Sequence, residues 1–173
     1  ILAAVTTYAV SARPMGGVVG SLDGASVSLC QNAGGVTALF AGGIAGQTEG
    51  SSTVERCASL GPVYGFVSGS SAGGIVGKLA GGAVVDCYTT GTVSVTIQGG
   101  EHAGGIAGSM TGGEIRRCYA VGTVFGNASA GGIVGTTEGT GLTIENVAAL
   151  NAALNDRFTN CIGTVAAGTA APA

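Results

Sequence analysis

Five cysteines and a single histidine are the side chains of this 173-residue sequence best suited to chemistry. Cys30, Cys57, Cys87, Cys118 and Cys161 could bridge, bind metal or act as nucleophiles. Their pattern argues against the first two. The count is odd, and no Cys-x-x-Cys pair occurs. With no such pair and His102 as the sole histidine, a metal site is not expected. The expectation is a set of buried free thiols that pack as small hydrophobes. His102 follows Glu101, and the two could form a general base. An exposed loop pair is the simpler reading, since no second carboxylate lies near them in sequence. No Gly-x-Ser-x-Gly elbow supplies a nucleophile. Gly77-Lys78-Leu79 lacks the Ser or Thr of a phosphate-binding loop. The expectation is therefore no enzyme activity, no cofactor and no metal.

Four of the cysteines belong to a longer repeat. Ala-Gly-Gly-Ile-(Ala/Val)-Gly occurs at residues 41–46, 72–77, 103–108 and 130–135. A fifth copy, Met-Gly-Gly-Val-Val-Gly, occupies 15–20. The copies start 26, 31, 31 and 27 residues apart. A β-branched residue then stands three before a Cys: Val27 and Cys30, Val54 and Cys57, Val84 and Cys87, Ile115 and Cys118. In the last copy Ile144 precedes Val147, which replaces the thiol. Tyr88 and Tyr119 follow two of the cysteines, and each leads to Gly-Thr-Val. Residues 160–165 read as a degenerate further copy of that second phrase.

Short runs rich in Val, Ile and Thr between glycines are strands. No stretch carries a firm helical period; only 146–155 leans that way. Each unit reads as three short runs, which suits one coil of a three-faced solenoid. The expected fold is all-β: a right-handed parallel β-solenoid of about five to six coils, 26–31 residues each. Residues 1–14 form a strand-like lead, and 15–173 form a single solenoid domain with a degenerate last coil near 156–173. Equivalent residues then lie above one another. Ile44, Ile75, Ile106 and Ile133 make one core column. Cys30, Cys57, Cys87 and Cys118 make another, with Val147 on top. Both members of Ile115/Cys118 cannot face inward along a regular strand, so a corner or bulge is expected at Arg116-Arg117 and at Val85-Asp86. Glycines are expected at corners needing positive φ and where backbones approach closely.

Composition narrows the partners. Charged residues make up only 9% and the net charge is −3, with no basic run. Nucleic acid and anionic membrane are not expected partners. The opening apolar stretch is too short to span a bilayer, so no membrane insertion is expected. The 35 glycines show no Gly-X-Y period, which excludes collagen.

The paired phrases, Gly-Gly-Ile-Val-Gly followed by Cys-Tyr-x-x-Gly, resemble the GLUG repeat over about residues 15 to 150. Asn-Val-Ala-Ala-Leu-Asn at 146–151 is similar to a segment that often follows such repeats. That family occurs in secreted and surface proteins of bacteria, including adhesin-like proteins and immunoglobulin-A-cleaving peptidases, where the repeats form stalk or binding segments. The resemblance implies an extracellular or cell-surface structural role, with flanking domains of a larger protein as one partner. It carries over no catalytic residue. Residues 1–14 match no repeat.

The ends suggest a second partner. Open solenoid edges recruit further strands. Ile1, Leu2, Val5, Tyr8 and Val10 line an apolar segment that could cover its own first coil or add to another subunit and build a fibre. The expected role is thus a stalk or self-assembling filament subunit. A solenoid face binding glycan or ice is the alternative. A solenoid enzyme would need clustered acids, and Asp23, Glu49, Asp86 and Glu114 do not recur at one repeat position.

Overall fold

A computed structural model describes residues 2–3, 7–8, 13–95, 102–150 and 162–165. Among them every regular element is a β-strand, and strands of successive coils pair in parallel. The fold is a parallel β-solenoid. Each coil lays down five short strands rather than the three runs legible in the sequence, and these build five sheets. Sheet 1 stacks Leu2–Ala3, Gln31–Asn32, Ala58–Ser59, Tyr88–Thr89, Tyr119–Ala120 and Ala148–Ala149. Sheet 2 stacks Thr7–Tyr8, Val36–Ala38, Val63–Gly65, Val93–Val95 and Val124–Gly126. Sheet 3 stacks Pro14–Gly16, Phe40–Gly42, Ser71–Gly73, His102–Gly104 and Ser129–Gly131. Sheet 4 stacks Val19–Asp23, Ala45–Glu49, Val76–Leu79, Ala107–Met110, Val134–Thr137 and Ile162–Val165. Sheet 5 stacks Ser26–Ser28, Thr53–Glu55, Ala83–Val85, Glu114–Arg116 and Thr143–Glu145.

The three five-stranded sheets span about four full turns from first strand to last, slightly fewer than the five to six coils expected. The shortfall lies at the ends. The last turn contributes only Ala148–Ala149 and Ile162–Val165 to the described strands. Ile162–Val165 adds to sheet 4 beside Val134–Thr137, not to sheet 2 where its Gly-Thr-Val likeness would put it. The weakly helical segment begins as a strand at Ala148–Ala149, and its remainder lies outside the described residues. At the other end, Leu2–Ala3 pairs with Gln31–Asn32 and Thr7–Tyr8 with Val36 and Thr37 of the same chain. Ile1, Val5 and Val10 lie outside the described residues.

The Gly-Gly phrase makes the cross-section. The chain runs along sheet 3, bends through the second glycine and the isoleucine, and returns along sheet 4. The two sheets touch backbone to backbone. A methyl group on Gly77 would meet Ala41 N, Phe40 C and Gly46 O, each at 2.7 Å. On Gly108 it would meet Ala72 N at 2.6 Å. Stacked sheets usually lie about 10 Å apart, so glycine here is a demand of space, not of φ. The waist divides the interior into two cores. One holds the isoleucine and cysteine columns with Leu22, Leu79 and Met110. The other holds Val36, Val63, Val93 and Val124 against Ala41, Ala72, Ala103 and Ala130.

Candidate functional surfaces

The isoleucines of the phrase lie on adjacent rungs. The N–H of Ile44 donates to Ile75 O at 3.0 Å, that of Ile75 to Ile106 O at 2.9 Å, and that of Ile106 to Ile133 O at 2.8 Å. All four side chains are fully buried. Cys30, Cys57, Cys87 and Cys118 also lie rung above rung, as free thiols. The Cys57 N–H donates to Cys87 Sγ at 3.4 Å. Each thiol donates to the carbonyl two residues before it, at Ser28, Glu55, Val85 and Arg116. Val147 packs against the same core beyond Cys118. The Cys57 thiol is pushed far up by its hydrogen bond with Cys87, and then by burial. Cys87 is pushed up to about 12 by Cys118 in the same way. Protonated thiols in an apolar column are poor nucleophiles. Cys161 lies outside the described residues.

The corner before each cysteine is a column of its own. Leu29, Arg56, Asp86, Arg117 and Asn146 all adopt left-handed φ, between 50° and 56°. This reversal lets Ile115 and Cys118 both face inward, and likewise Val84 and Cys87. The corner falls at Asp86 and Arg117, yet it is built without glycine, although glycine is the residue that enters this region freely. The glycines with positive φ sit in the loops instead, at Gly24, Gly50 and Gly82 among others. Along the corner Arg117 clamps Asp86 through two bonds of 2.6 and 2.9 Å. The guanidinium holds the Asp86 carboxyl below the usual range.

The remaining candidates do not converge. Glu114 pairs with Arg116 at 2.6 Å on sheet 5. Asp23 stacks on Glu49 at the end of sheet 4, where Gln47 donates to Glu49. His102 lies half-buried in the sheet 3 row between Ser71 and Ser129. Glu101, its candidate partner, lies outside the described residues. Lys78 sits over the Phe40 ring at 5.3 Å.

Sheets 1 and 2 present a different surface. Among the described residues, no Asp, Glu, Lys, Arg or His stands on these sheets or on the three-residue links between them, at 33–35, 60–62, 90–92 and 121–123. Their outer side carries aromatic and hydroxyl groups instead. Tyr88 and Tyr119 stack in parallel, with ring centroids 5.1 Å apart. On sheet 2 the outward row runs Thr37, Tyr64, Ser94, Phe125. Tyr64 is 42% exposed and Phe125 39%, while Ser94 between them is only 7% exposed. Cysteine spacing gives no hint of this row. Aligning the residues that follow each core valine (Val63-Tyr64, Val93-Ser94, Val124-Phe125) would have found it.

Residues 99–124 match the family model described as the GLUG motif. The match spans one turn, from the sheet 3 strand His102–Gly104 to the start of sheet 2 at Val124. No curated protein and no solved structure matches the chain.

Proposed function

We propose that this GLUG-motif repeat protein is a non-enzymatic, extracellular structural module of bacterial type, a stalk or filament subunit that stacks end to end. The observation that carries this reading is the pair of solenoid ends. All five sheets terminate in strands with a free edge among the described residues, from Ser26–Ser28 at one end of sheet 5 to Thr143–Glu145 at the other. Each edge is a row of backbone donors and acceptors aligned for another parallel strand. The two ends are also complementary in core chemistry. Val19, Val27 and Cys30 are only partly covered at the first rung, as are Leu142, Val147 and Ala149 at the last. Placing the first rung of one copy on the last rung of another continues the same columns, and such head-to-tail contacts build open fibres.

A structural role also fits the chemistry of the side chains. The described arginines of sheet 5 and its corner engage neighbouring acids, and the Cys57 and Cys87 thiols are held protonated. Partners are then further copies or flanking domains, with no cofactor. Negative-stain microscopy and sedimentation velocity of the purified chain test the reading. Rods longer than a single solenoid, growing with concentration, are expected. A monodisperse monomer at high concentration rules out self-assembly and leaves only the stalk. A folded chain that hydrolyses or cleaves a polysaccharide overturns the non-enzymatic reading.

A further inference from the structure

The geometry points to the outer face of sheets 1 and 2 as a binding surface for an uncharged polysaccharide, with Tyr64, Phe125 and the Tyr88–Tyr119 pair as stacking platforms. The inference does not depend on end-to-end assembly, because it concerns the side of the solenoid.

Three observations meet on this face. The first is charge. The described charged side chains stand on or beside sheets 3, 4 and 5, and those nearest this face, at the corner between sheets 5 and 1, are in ion pairs, Arg56 with Glu55 and Arg117 with Asp86. Sheets 1 and 2 have none. A face that offers no charge has nothing with which to select an ionic ligand and is matched by a neutral one.

The second is the pairing of rings with hydroxyls. Tyr119 is 44% exposed and lies flat on Tyr88. Tyr64 and Phe125 stand two rungs apart, roughly 10 Å at the usual strand spacing, on either side of the sunken Ser94. Thr90, Thr92 and Thr123 on the links add hydroxyl donors and acceptors beside the rings. Aromatic rings present an apolar face to a partner, and adjacent hydroxyls supply oriented hydrogen bonds. A sugar ring has that same division, with C–H bonds on its faces and hydroxyls at its edge.

The third is repetition. Parallel stacking places the platforms at multiples of one spacing along a straight row, which suits a chain ligand over a compact one. The row is also uneven, large at Tyr64 and Phe125 and small at Thr37 and Ser94. An ice lattice would call for a uniform row of small groups, so a polymer with separate rings is the better fit.

The test uses the whole chain in affinity electrophoresis through native gels containing laminarin, barley mixed-linkage glucan or yeast mannan, with heparin as the charged control. Retardation by at least one neutral glycan, unchanged by added sodium chloride, is expected. Tyr64→Ser and Phe125→Ser should each weaken it about tenfold, the loss of one ring platform. Both keep the fold, since Thr37 and Ser94 already fill equivalent positions, and thermal melting checks this. Lys78→Ala, on sheet 4, should bind as the parent does. Retention by none of the three neutral glycans overturns the inference. So does retention by heparin alone, thermal hysteresis without glycan binding, or a dimer abolished by Phe125→Ser without glycan binding. Failure of fibre formation is read separately by microscopy and leaves this inference standing.

Discussion

Gly77→Ala puts one methyl group into the waist of the solenoid. The added carbon would lie 2.7 Å from Ala41 N, Phe40 C and Gly46 O. Carbon contacts settle near 3.5 Å or more, so these atoms must retreat by close to an ångström. All three are backbone, two on sheet 3 and one on the neighbouring sheet 4 strand, and none can rotate aside. The strain passes into the adjoining bonds, such as Val76 N to Ile106 O at 3.0 Å. Forcing an extra carbon into a close-packed core costs about 1–3 kcal/mol, and weakening one buried hydrogen bond costs a further ~1–3 kcal/mol. The expected loss is about 2–6 kcal/mol, a large share of the ~5–15 kcal/mol that holds a typical domain together. Gly69→Ala is the control. Gly69 has φ of 77°, but nothing lies within 4 Å of an added methyl, so only the left-handed penalty of about 1–2 kcal/mol applies. Urea unfolding followed by circular dichroism compares the midpoints, which remain meaningful if coils unfold in sequence. The reasoning fails if Gly77→Ala is no less stable than Gly69→Ala.

Three further outcomes are expected. Ile75→Val should cost about 0.5–1.5 kcal/mol and Ile75→Ala about 2–5 kcal/mol, because the side chain is fully buried between Ile44 and Ile106; equal effects in thermal melts would contradict a packed column. Leu29→Asn should raise stability by about 0.5–1 kcal/mol, since Asn enters the left-handed region more easily than Leu and already occupies that corner at Asn146; a lower melting temperature would count against strain there. Stability should also fall in alkali. Cys87 ionises only near 12 in the folded chain, against 9.0 as its ordinary value. Its contribution is therefore complete below pH 9, where both states hold the proton, and is lost as the pH climbs from 9 toward 12 and the unfolded thiol alone ionises. Urea midpoints across that range should drop for the parent and drop less for Cys87→Ala.

The fold was legible because its core rule is written into the letters. Parallel stacking sets like on like, so Ile44, Ile75, Ile106 and Ile133 repeat at nearly the coil length, as do the cysteines. The number of strands per coil was not legible. Ala58–Ser59 and Tyr88–Thr89 are two residues long, too short for any alternation to register. The corner could be located from Ile115 and Cys118, but not its chemistry, because Arg and Leu at left-handed φ contradict local preference and are held there by the stacking of neighbouring coils. The glycines were legible in part. The close backbone approach expected of the phrase glycines is present, whereas the positive φ expected at glycine corners falls on non-glycine residues there and on glycines of the loops. Half of the candidate face was legible, since Tyr88 and Tyr119 follow equivalent cysteines; Tyr64 and Phe125 fall into one row only when the residues after each core valine are aligned.

That difference between inside and outside bears on where function is encoded. An inward position touches its own equivalents one rung away, so a change in one copy forces a change in the next, and the letters stay alike. An outward position is free of that coupling. Thr37, Tyr64, Ser94 and Phe125 occupy equivalent places with four different side chains, whereas Val36, Val63, Val93 and Val124, one residue before each, are all valine. The outer rows of sheets 3 to 5 use this freedom to place charge in a chain of only 9% charged residues. Sheets 1 and 2 have the same freedom and place no charge at all. Exposing rings there leaves apolar surface in water and contributes nothing to either core. The core requires only the valines, so the makeup of the row outside them is explained by what it meets, not by what it holds together.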